Sequence, residues 1–131
     1  MAAFANLCIS SGALRRLRSF TLDTYFQIDH WVKHIVHLLS DSPLEIFQIY
    51  SAYPIKDELW TQLILSHGKR LLRISVCRTL ISWEATHSIC VQCTKLEQLL
   101  LVVSPNRPDH LVRTLAFGLA RRTHILILCA G

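Results

Sequence analysis

The sequence contains little glycine and few charged side chains, and each shortage excludes a class of protein. Only 4 of the 131 residues are glycine and none of them are clustered, so no glycine-rich phosphate-binding loop is present. Charged residues make up 18% of the chain, against roughly 25% in a typical soluble domain. No stretch reaches the roughly 18 consecutive apolar residues of a membrane-spanning helix. We therefore expect neither a phosphate loop nor a membrane span.

Cysteine is present in an odd number, and no secretion signal precedes it. The five cysteines are Cys8, Cys77, Cys90, Cys93 and Cys129. We expect reduced thiols in an intracellular protein, cytoplasmic or nuclear. The N-terminal stretch up to Leu22 lacks Asp and Glu and contains three arginines, as mitochondrial presequences do. The periodicity described next favours assigning residues 14–22 to a first repeat instead.

What the sequence has in abundance is an apolar motif at nearly constant spacing. An apolar residue is followed by others three and five positions later. The four copies are Leu17, Phe20 and Leu22; Leu44, Phe47 and Ile49; Leu71, Ile74 and Val76; and Leu96, Leu99 and Leu101. Their first residues stand 27, 27 and 25 positions apart, and a degraded fifth copy would begin 26 further on, at Arg122. A period of about 20–29 residues is that of leucine-rich repeats.

The gaps between the motifs have apolar residues at helical spacing. The expected helices are a first one from Ile28 to Leu39, a second around Leu59 to Ile64 with Gly68 as its stop, a third capped by Ser82 from Trp83 to Cys90, and a fourth capped by Asp109 and reaching Leu119. Each period therefore contains one strand and one helix. Four coincidental motifs in a leucine-rich helical protein are the alternative.

The expected fold class is α/β, as a short leucine-rich-repeat-like solenoid. Parallel strands would form its concave face, and helices would form its convex face. We expect a single domain over residues 1–131, with about four to five repeats that start near residues 17, 44, 71, 96 and 122.

The functional surface of such a scaffold is its concave strand face. Side chains that alternate with the apolar strand residues should point outward there. The expected partner-binding residues are Tyr50, Arg73, Gln48, Ser75 and Gln98, with Tyr50 and Arg73 foremost because both are hot-spot residue types. Ordinary solvent-exposed strand residues are the alternative interpretation.

Metal and nucleophile chemistry have one candidate each. His87, Cys90 and Cys93 lie three positions apart and could contribute to a zinc site, but a buried structural cysteine is the favoured interpretation of Cys93. Cys77 has arginines close by but no signature of a cysteine hydrolase. We expect no catalytic residue, no metal and no cofactor.

Two basic groups precede strands, at residues 15–18 and 69–73. They could attract an acidic partner or nucleic acid, in line with the net charge of +5. No aromatic stacking pattern accompanies them, so a solvated rim is favoured and nucleic acid is not an expected partner.

Three stretches also resemble a known family. LLSDSPLEIFQIYS, HGKRLLRISVCR and ICVQCTKLEQLLL are similar to the repeat region of fungal F-box and leucine-rich-repeat proteins of basidiomycetes. The resemblance extends over about residues 14–119, and residues 93–101 are similar to the cysteine-containing repeat subtype. It implies repeats that hold the substrate of a ubiquitin ligase, whose adaptor an N-terminal F-box recruits.

This chain departs from that pattern because too few residues precede residue 14 to form an F-box. We expect adaptor binding only if an F-box exists outside the chain. The run RRTHILILCAG ends the sequence without a polar cap, which favours a fragment of a longer protein.

The sequence therefore predicts a non-enzymatic protein–protein interaction scaffold with an unknown protein partner. The alternatives are a truncated gene product without independent function and, less favoured, a small zinc-binding module.

Overall fold

Strands and helices alternate along the chain. The computed structural model describes residues 2–106 and, for their backbone, residues 124–129. Its elements are α1 (Ala2–Ser10), β1 (Ser19–Thr24), a 3₁₀ turn (Asp29–Trp31), α2 (Val32–Leu39), β2 (Ile46–Ser51), α3 (Asp57–His67), β3 (Arg73–Cys77), α4 (Trp83–Gln92), β4 (Gln98–Val103) and β5 (His124–Cys129).

The five strands form one sheet in chain order, and every neighbouring pair is parallel. The register repeats the spacing of the apolar motif. Phe20 pairs with Phe47, Phe47 with Ile74, Ile74 with Leu99 and Leu99 with Ile125. The paired residues belong to successive copies of the motif, so each strand is displaced from the last by one sequence period. The expected α/β class with parallel strands is therefore confirmed.

One face of the sheet packs on the helices and forms the core. The apolar motif residues of β2, β3 and β4 are all buried there: Leu44, Phe47, Ile49, Leu71, Ile74, Val76, Leu96, Leu99 and Leu101. Removing such a side chain from water contributes about 1.5–3 kcal/mol. The motif residues of the first copy, Leu17, Phe20 and Leu22, are only partly buried, because β1 lies at the edge of the sheet.

The first expected helix begins with a 3₁₀ turn, and its regular part starts later than predicted. Ile28 cannot offer a side-chain cap, and the chain enters through the 3₁₀ turn, in which Trp31 N–H donates to the Ile28 carbonyl at 2.7 Å. Such tighter bonds satisfy first-turn groups that lack a cap. The regular helix α2 starts only at Val32.

The two later described helices, α3 and α4, follow the sequence closely. Ser82 caps α4 as expected, since its hydroxyl accepts a hydrogen bond from the Ala85 N–H at 3.0 Å. Helix α3 ends at His67, just before Gly68. The φ of Gly68 is −52°, so the left-handed conformation common after helices is not used here. Gly68 is required for space instead, because a Cβ there would lie 2.5 Å from the Ile64 carbonyl oxygen.

The sequence did not predict α1, which packs against α2. Asn6 Oδ1 lies 3.1 Å from Nε2 of His37 in α2, and the side chains of Phe4 and Leu7 remain exposed. The helix expected after Asp109 and the repeat start at Arg122 lie outside the described residues. Within the described part of the chain, the helices are too short or too polar to cross a membrane.

Candidate interaction surface

The second face of the sheet carries side chains that are exposed or half-buried. Because strand residues alternate between faces, these side chains sit between the core residues. This open face consists of Ser19, Thr21 and Asp23; Ile46, Gln48 and Tyr50; Arg73, Ser75 and Cys77; and Gln98, Leu100 and Val102. The residues expected to face outward do so.

The middle of the open face forms a shallow depression of about 350 Å³, the central hollow. The side chains that line it are Gln48, Arg73, Ser75, Gln98 and Leu100. The sheet register brings them together, since Arg73 pairs with Gln98 and Ser75 pairs with both Gln48 and Leu100. Four of the five expected partner-binding residues therefore lie in one place.

Some polar side chains of the central hollow contact neighbouring side chains of the sheet. The Thr21 hydroxyl donates to Gln48 Oε1 at 3.1 Å. Ser75 Oγ lies 3.6 Å from Cys77 Sγ. The Arg73 guanidinium is exposed, and no carboxylate within the described ranges reaches ion-pair distance of it.

Tyr50, the fifth expected residue, lies elsewhere on the open face. Its ring belongs to a cluster at the C-terminal ends of the strands, made of Asp23, Tyr25, Tyr50 and Arg78, which we name the rim stack. The Arg78 guanidinium carbon lies 5.4 Å from the ring centre of Tyr25 and 5.5 Å from that of Tyr50. Arg78 also pairs with the Asp23 carboxylate.

The surroundings of Arg78 favour its charged form. A hydrogen bond with Tyr25 is the largest influence and raises the pKa of Arg78 above its ordinary value; desolvation opposes this rise, and the nearby charge and hydrogen bond of Asp23 add to it. A guanidinium is protonated throughout the physiological range in any case. Arg78 is therefore a permanent cation within cation–π distance of two rings.

Arg78 was not among the residues predicted from the sequence, although its position in the repeat is unusual for an arginine. Thr24 and Ser51 pair across β1 and β2, and both hydroxyls are buried. Each hydroxyl closes the turn that follows: Thr24 donates to the Phe26 carbonyl at 2.9 Å, and Ser51 to the Tyr53 carbonyl at 2.8 Å. Arg78 stands one repeat period after Ser51, and a long cation cannot occupy this buried slot.

The chain resolves this conflict by changing its path at Arg78. Arg78 is the only non-glycine residue with positive φ in the described part of the chain, at 66°, and L-residues adopt that conformation rarely. The next residue, Thr79, is buried in its place, and its hydroxyl donates not to its own turn but to the Tyr53 carbonyl of the preceding one, at 3.0 Å. Ile81 then pairs with Val103. An arginine in a slot for Thr or Ser was the sequence signal.

Apolar side chains surround the rim stack. Tyr25 is 71% exposed, and Phe26, Tyr53 and Leu80 also stand well out of the surface. A second depression of about 490 Å³ lies beside Arg78, between Pro54, Leu80 and Val102. Tyrosine and arginine are the residue types that dominate protein interfaces.

The cysteines and histidines of the metal hypothesis have a different environment. Cys90 and Cys93 are buried in the core, whereas His87 is half-exposed on α4. Over residues 2–106, no group of three or more His, Cys, Asp or Glu side chains is placed to hold a metal ion. The structure therefore gives the zinc interpretation no support.

Known proteins offer no guide to this surface. Comparison with family models, with curated proteins and with solved structures finds no match for the chain. The function therefore has to be inferred from the open face itself.

Proposed function

We propose that the chain is a short leucine-rich-repeat-like solenoid that binds a protein partner through its open face, without catalysing a reaction. The repeats would start near residues 17, 44, 71, 96 and 122, four to five in all. The observation that carries the proposal is the open face: a continuous sheet surface with exposed hydrogen-bonding groups, a tyrosine, and an arginine that lacks an ion-pair partner among the described residues.

Two features of the fold support the solenoid. The strand register advances by one period of the apolar motif at every step across the sheet. Each described crossover places its helix on the same buried face, as a right-handed series of strand–helix units requires. Repeats of this kind bury a continuous core between neighbours and leave their strand surface for recognition.

The chemistry of the open face favours binding over catalysis. General acid–base catalysis needs a titratable side chain placed to transfer a proton, and nucleophilic catalysis needs a nucleophile next to an oriented base. On β1–β4 the open face holds one carboxylate and no histidine, and the carboxylate of Asp23 is already paired with Arg78. The hydroxyl and thiol of Ser75 and Cys77 contact each other.

The resemblance to F-box and leucine-rich-repeat proteins suggests what kind of partner to look for. In that family the repeats hold a protein destined for ubiquitination. For this chain we propose an intracellular protein partner of the same kind, with adaptor recruitment left to an F-box outside the residues given.

A site-specific photo-crosslinking experiment tests the proposal. Benzoylphenylalanine is introduced at Ser75, on the open face, and in a matched variant at Gln62, exposed on α3. We expect a discrete protein adduct from position 75 in an extract of the native cells, and none of the same mass from position 62. Adducts that form equally well from both positions, or from position 62 alone, would contradict binding through the open face.

Solution scattering tests the architecture separately. We expect a folded monomer with a curved, elongated profile that a metal chelator leaves unchanged. Collapse of the fold on chelation would restore the zinc-binding alternative, because structural metal binding is coupled to folding.

A further inference from the structure

Two arginines, one on the open face and one in the rim stack at its border, have opposite electrostatic situations. Arg78, in the rim stack, has a carboxylate partner in Asp23 and lies close to the rings of Tyr25 and Tyr50. Arg73 is exposed in the central hollow and has no acidic partner across residues 2–106. Because Asp23 is the single acidic side chain of the open face on β1–β4, Arg73 remains its one uncompensated charge in the described strands.

The groups around Arg73 match those that recognise a carboxylate. A guanidinium presents five N–H donors in a planar fork that fits a carboxylate bidentately. The Ser75 hydroxyl and the amides of Gln48 and Gln98 line the same hollow and can donate to the remaining oxygen lone pairs. Charge-assisted hydrogen bonds of this type are roughly twice as strong as neutral ones.

The rim stack provides a second, apolar contact at a fixed distance. Arg73 pairs with Ile46 at one end of β2, and Cys77 pairs with Tyr50 at the other. Four steps along the strand separate the two rows, which corresponds to about 13 Å. The ring of Tyr25 is largely exposed, and Arg78 holds it beside Tyr50 without leaving a free charge there.

We propose that the open face recognises an acidic segment of a partner protein at two points. An aspartate or glutamate carboxylate of the partner binds Arg73 in the central hollow. An apolar side chain about 13 Å away packs on the rings of the rim stack. The net charge of the chain, +5, attracts such a segment from a distance. This inference rests on the proposed function and names the class of partner.

The same charge distribution disfavours nucleic acid. Binding to a phosphate backbone needs several cations that each neutralise one phosphate. On its described strands the open face offers one uncompensated arginine, and Arg18, next to its edge, lies 4.0 Å from the Glu45 carboxylate. Binding of nucleic acid is therefore not part of the proposal, and the experiment below tests for it.

A random peptide library displayed on phage is the probe. Peptides are selected on the wild-type chain, synthesised with a fluorescent label, and measured by anisotropy. The variants are Arg73→Gln, which removes the charge; Ser75→Trp, which fills the hollow without adding a charge; and Arg16→Gln, which removes an exposed arginine in the turn before β1. Circular dichroism verifies that each variant is folded, and Gln98→Trp replaces Ser75→Trp if that variant is not.

We expect the selected peptides to share an acidic residue and an apolar one. Arg73→Gln should weaken their binding at least about tenfold, a loss of about 1.4 kcal/mol. Replacing the peptide glutamate by glutamine should have a similar effect, and the two changes together should cost little more than either alone, because they remove the same contact. Arg16→Gln should leave the affinity unchanged.

Three results would overturn the acidic-segment inference. The first is that no peptide is enriched. The second is that Ser75→Trp abolishes binding while Arg73→Gln and the peptide substitution do not; in that case the proposed open-face function survives and only the partner class is wrong. The third is Arg73-dependent binding of a single-stranded oligonucleotide with no binding of peptides. Peptide binding that is insensitive to every open-face variant would reject the proposed function as well.

Discussion

The two faces of the sheet are made from alternate residues of the same strands. One face stabilises the fold, and the other is exposed to solvent. On the buried face, Phe47, Ile74 and Leu99 lie side by side under the helices. One residue further along each strand, Gln48, Ser75 and Leu100 line the central hollow. The buried row holds the fold together by removing apolar surface from water, and the open row is available for recognition. Changes on one face should therefore leave the property of the other nearly intact.

The sharpest test of this contrast is a pair of adjacent substitutions in β2. The Phe47 ring lies 6.0 Å from that of Phe20 and 5.9 Å from that of Trp60. Phe47→Ala should lower the free energy of unfolding by about 3–5 kcal/mol, because the cavity left cannot fully collapse. Gln48→Ala, the matched control on the open face, should change it by no more than about 0.5 kcal/mol. Urea titration gives both values, and similar losses for the two would contradict the separation of roles.

His67 is an exception within the buried layer. It ends α3 with 2% of its surface exposed, and neither ring nitrogen makes a hydrogen bond to another described residue. Burial lowers the pKa of His67, and the charge of Arg70 lowers it further, while the backbone of Leu39 opposes the shift. Burial dominates the shift in the pKa of His67, because the ring makes no hydrogen bond with good geometry to another described residue.

The fold should consequently lose stability in acid through this one side chain. Well above the ordinary histidine pKa of 6.5, His67 is neutral in both states and contributes no pH dependence. Below it the unfolded chain takes up a proton that the folded chain resists, so the free energy of unfolding falls, by at most about 1.4 kcal/mol per pH unit. His67→Leu should flatten this slope between pH 6.5 and the lower folded pKa, whereas the exposed control His30→Gln should not. An unchanged slope in His67→Leu would assign the acid sensitivity to other groups.

The cap of helix α4 should make a smaller contribution to stability than the buried residues. The Ser82 hydroxyl accepts from Ala85 N–H at 3.0 Å and donates to the Asp57 carboxylate at 2.8 Å, joining the first turns of α4 and α3. Ser82→Ala should cost about 1 kcal/mol of unfolding free energy. Ser66→Ala, an exposed serine of α3, serves as the control and should stay within about 0.5 kcal/mol. Equal effects of the two would show that the cap does not stabilise the fold.

Arg78 should have the smallest effect on stability among these residues. Its exposed ion pair and ring contacts contribute little in water, and its positive φ disfavours any side chain with a Cβ. Arg78→Gly should therefore be more stable than Arg78→Ala in thermal unfolding, although both variants lose the rim stack. If the alanine variant were the more stable one, the positive φ at Arg78 would not be a cost to stability.

Much of the fold could be predicted because its cause is local and repeated. The apolar motif determines which residues of each strand are buried. Because each strand is joined to the next by the same kind of helical connection, equivalent residues of successive motifs pair in the sheet. Ser82 could be identified as a helix cap because that role is also local: a serine directly precedes the apolar residues of a helix. Helix α1 was missed because its residues show no clear amphipathic face, and the burial of His67 was missed because its neighbours come from another helix.

The candidate site was predictable in composition but not in arrangement. Alternation along the strands places Gln48, Arg73, Ser75 and Gln98 on the open face whatever their partners are. Alternation does not separate Tyr50 from them, nor does it select Arg78. That arginine leaves the strand pattern only because the buried slot beneath it cannot hold a charge.

The sequence by itself determined the period, the face on which each strand residue lies and the excess of basic side chains, because these follow from spacing and composition. Only the tertiary structure decided which arginine is neutralised. Asp23 and Arg78 are far apart in the chain, and they meet because parallel strands bring their C-terminal ends to one edge of the sheet. The same stacking leaves Arg73 without a carboxylate in the described strands, and that difference between two arginines exists only once the strands are assembled.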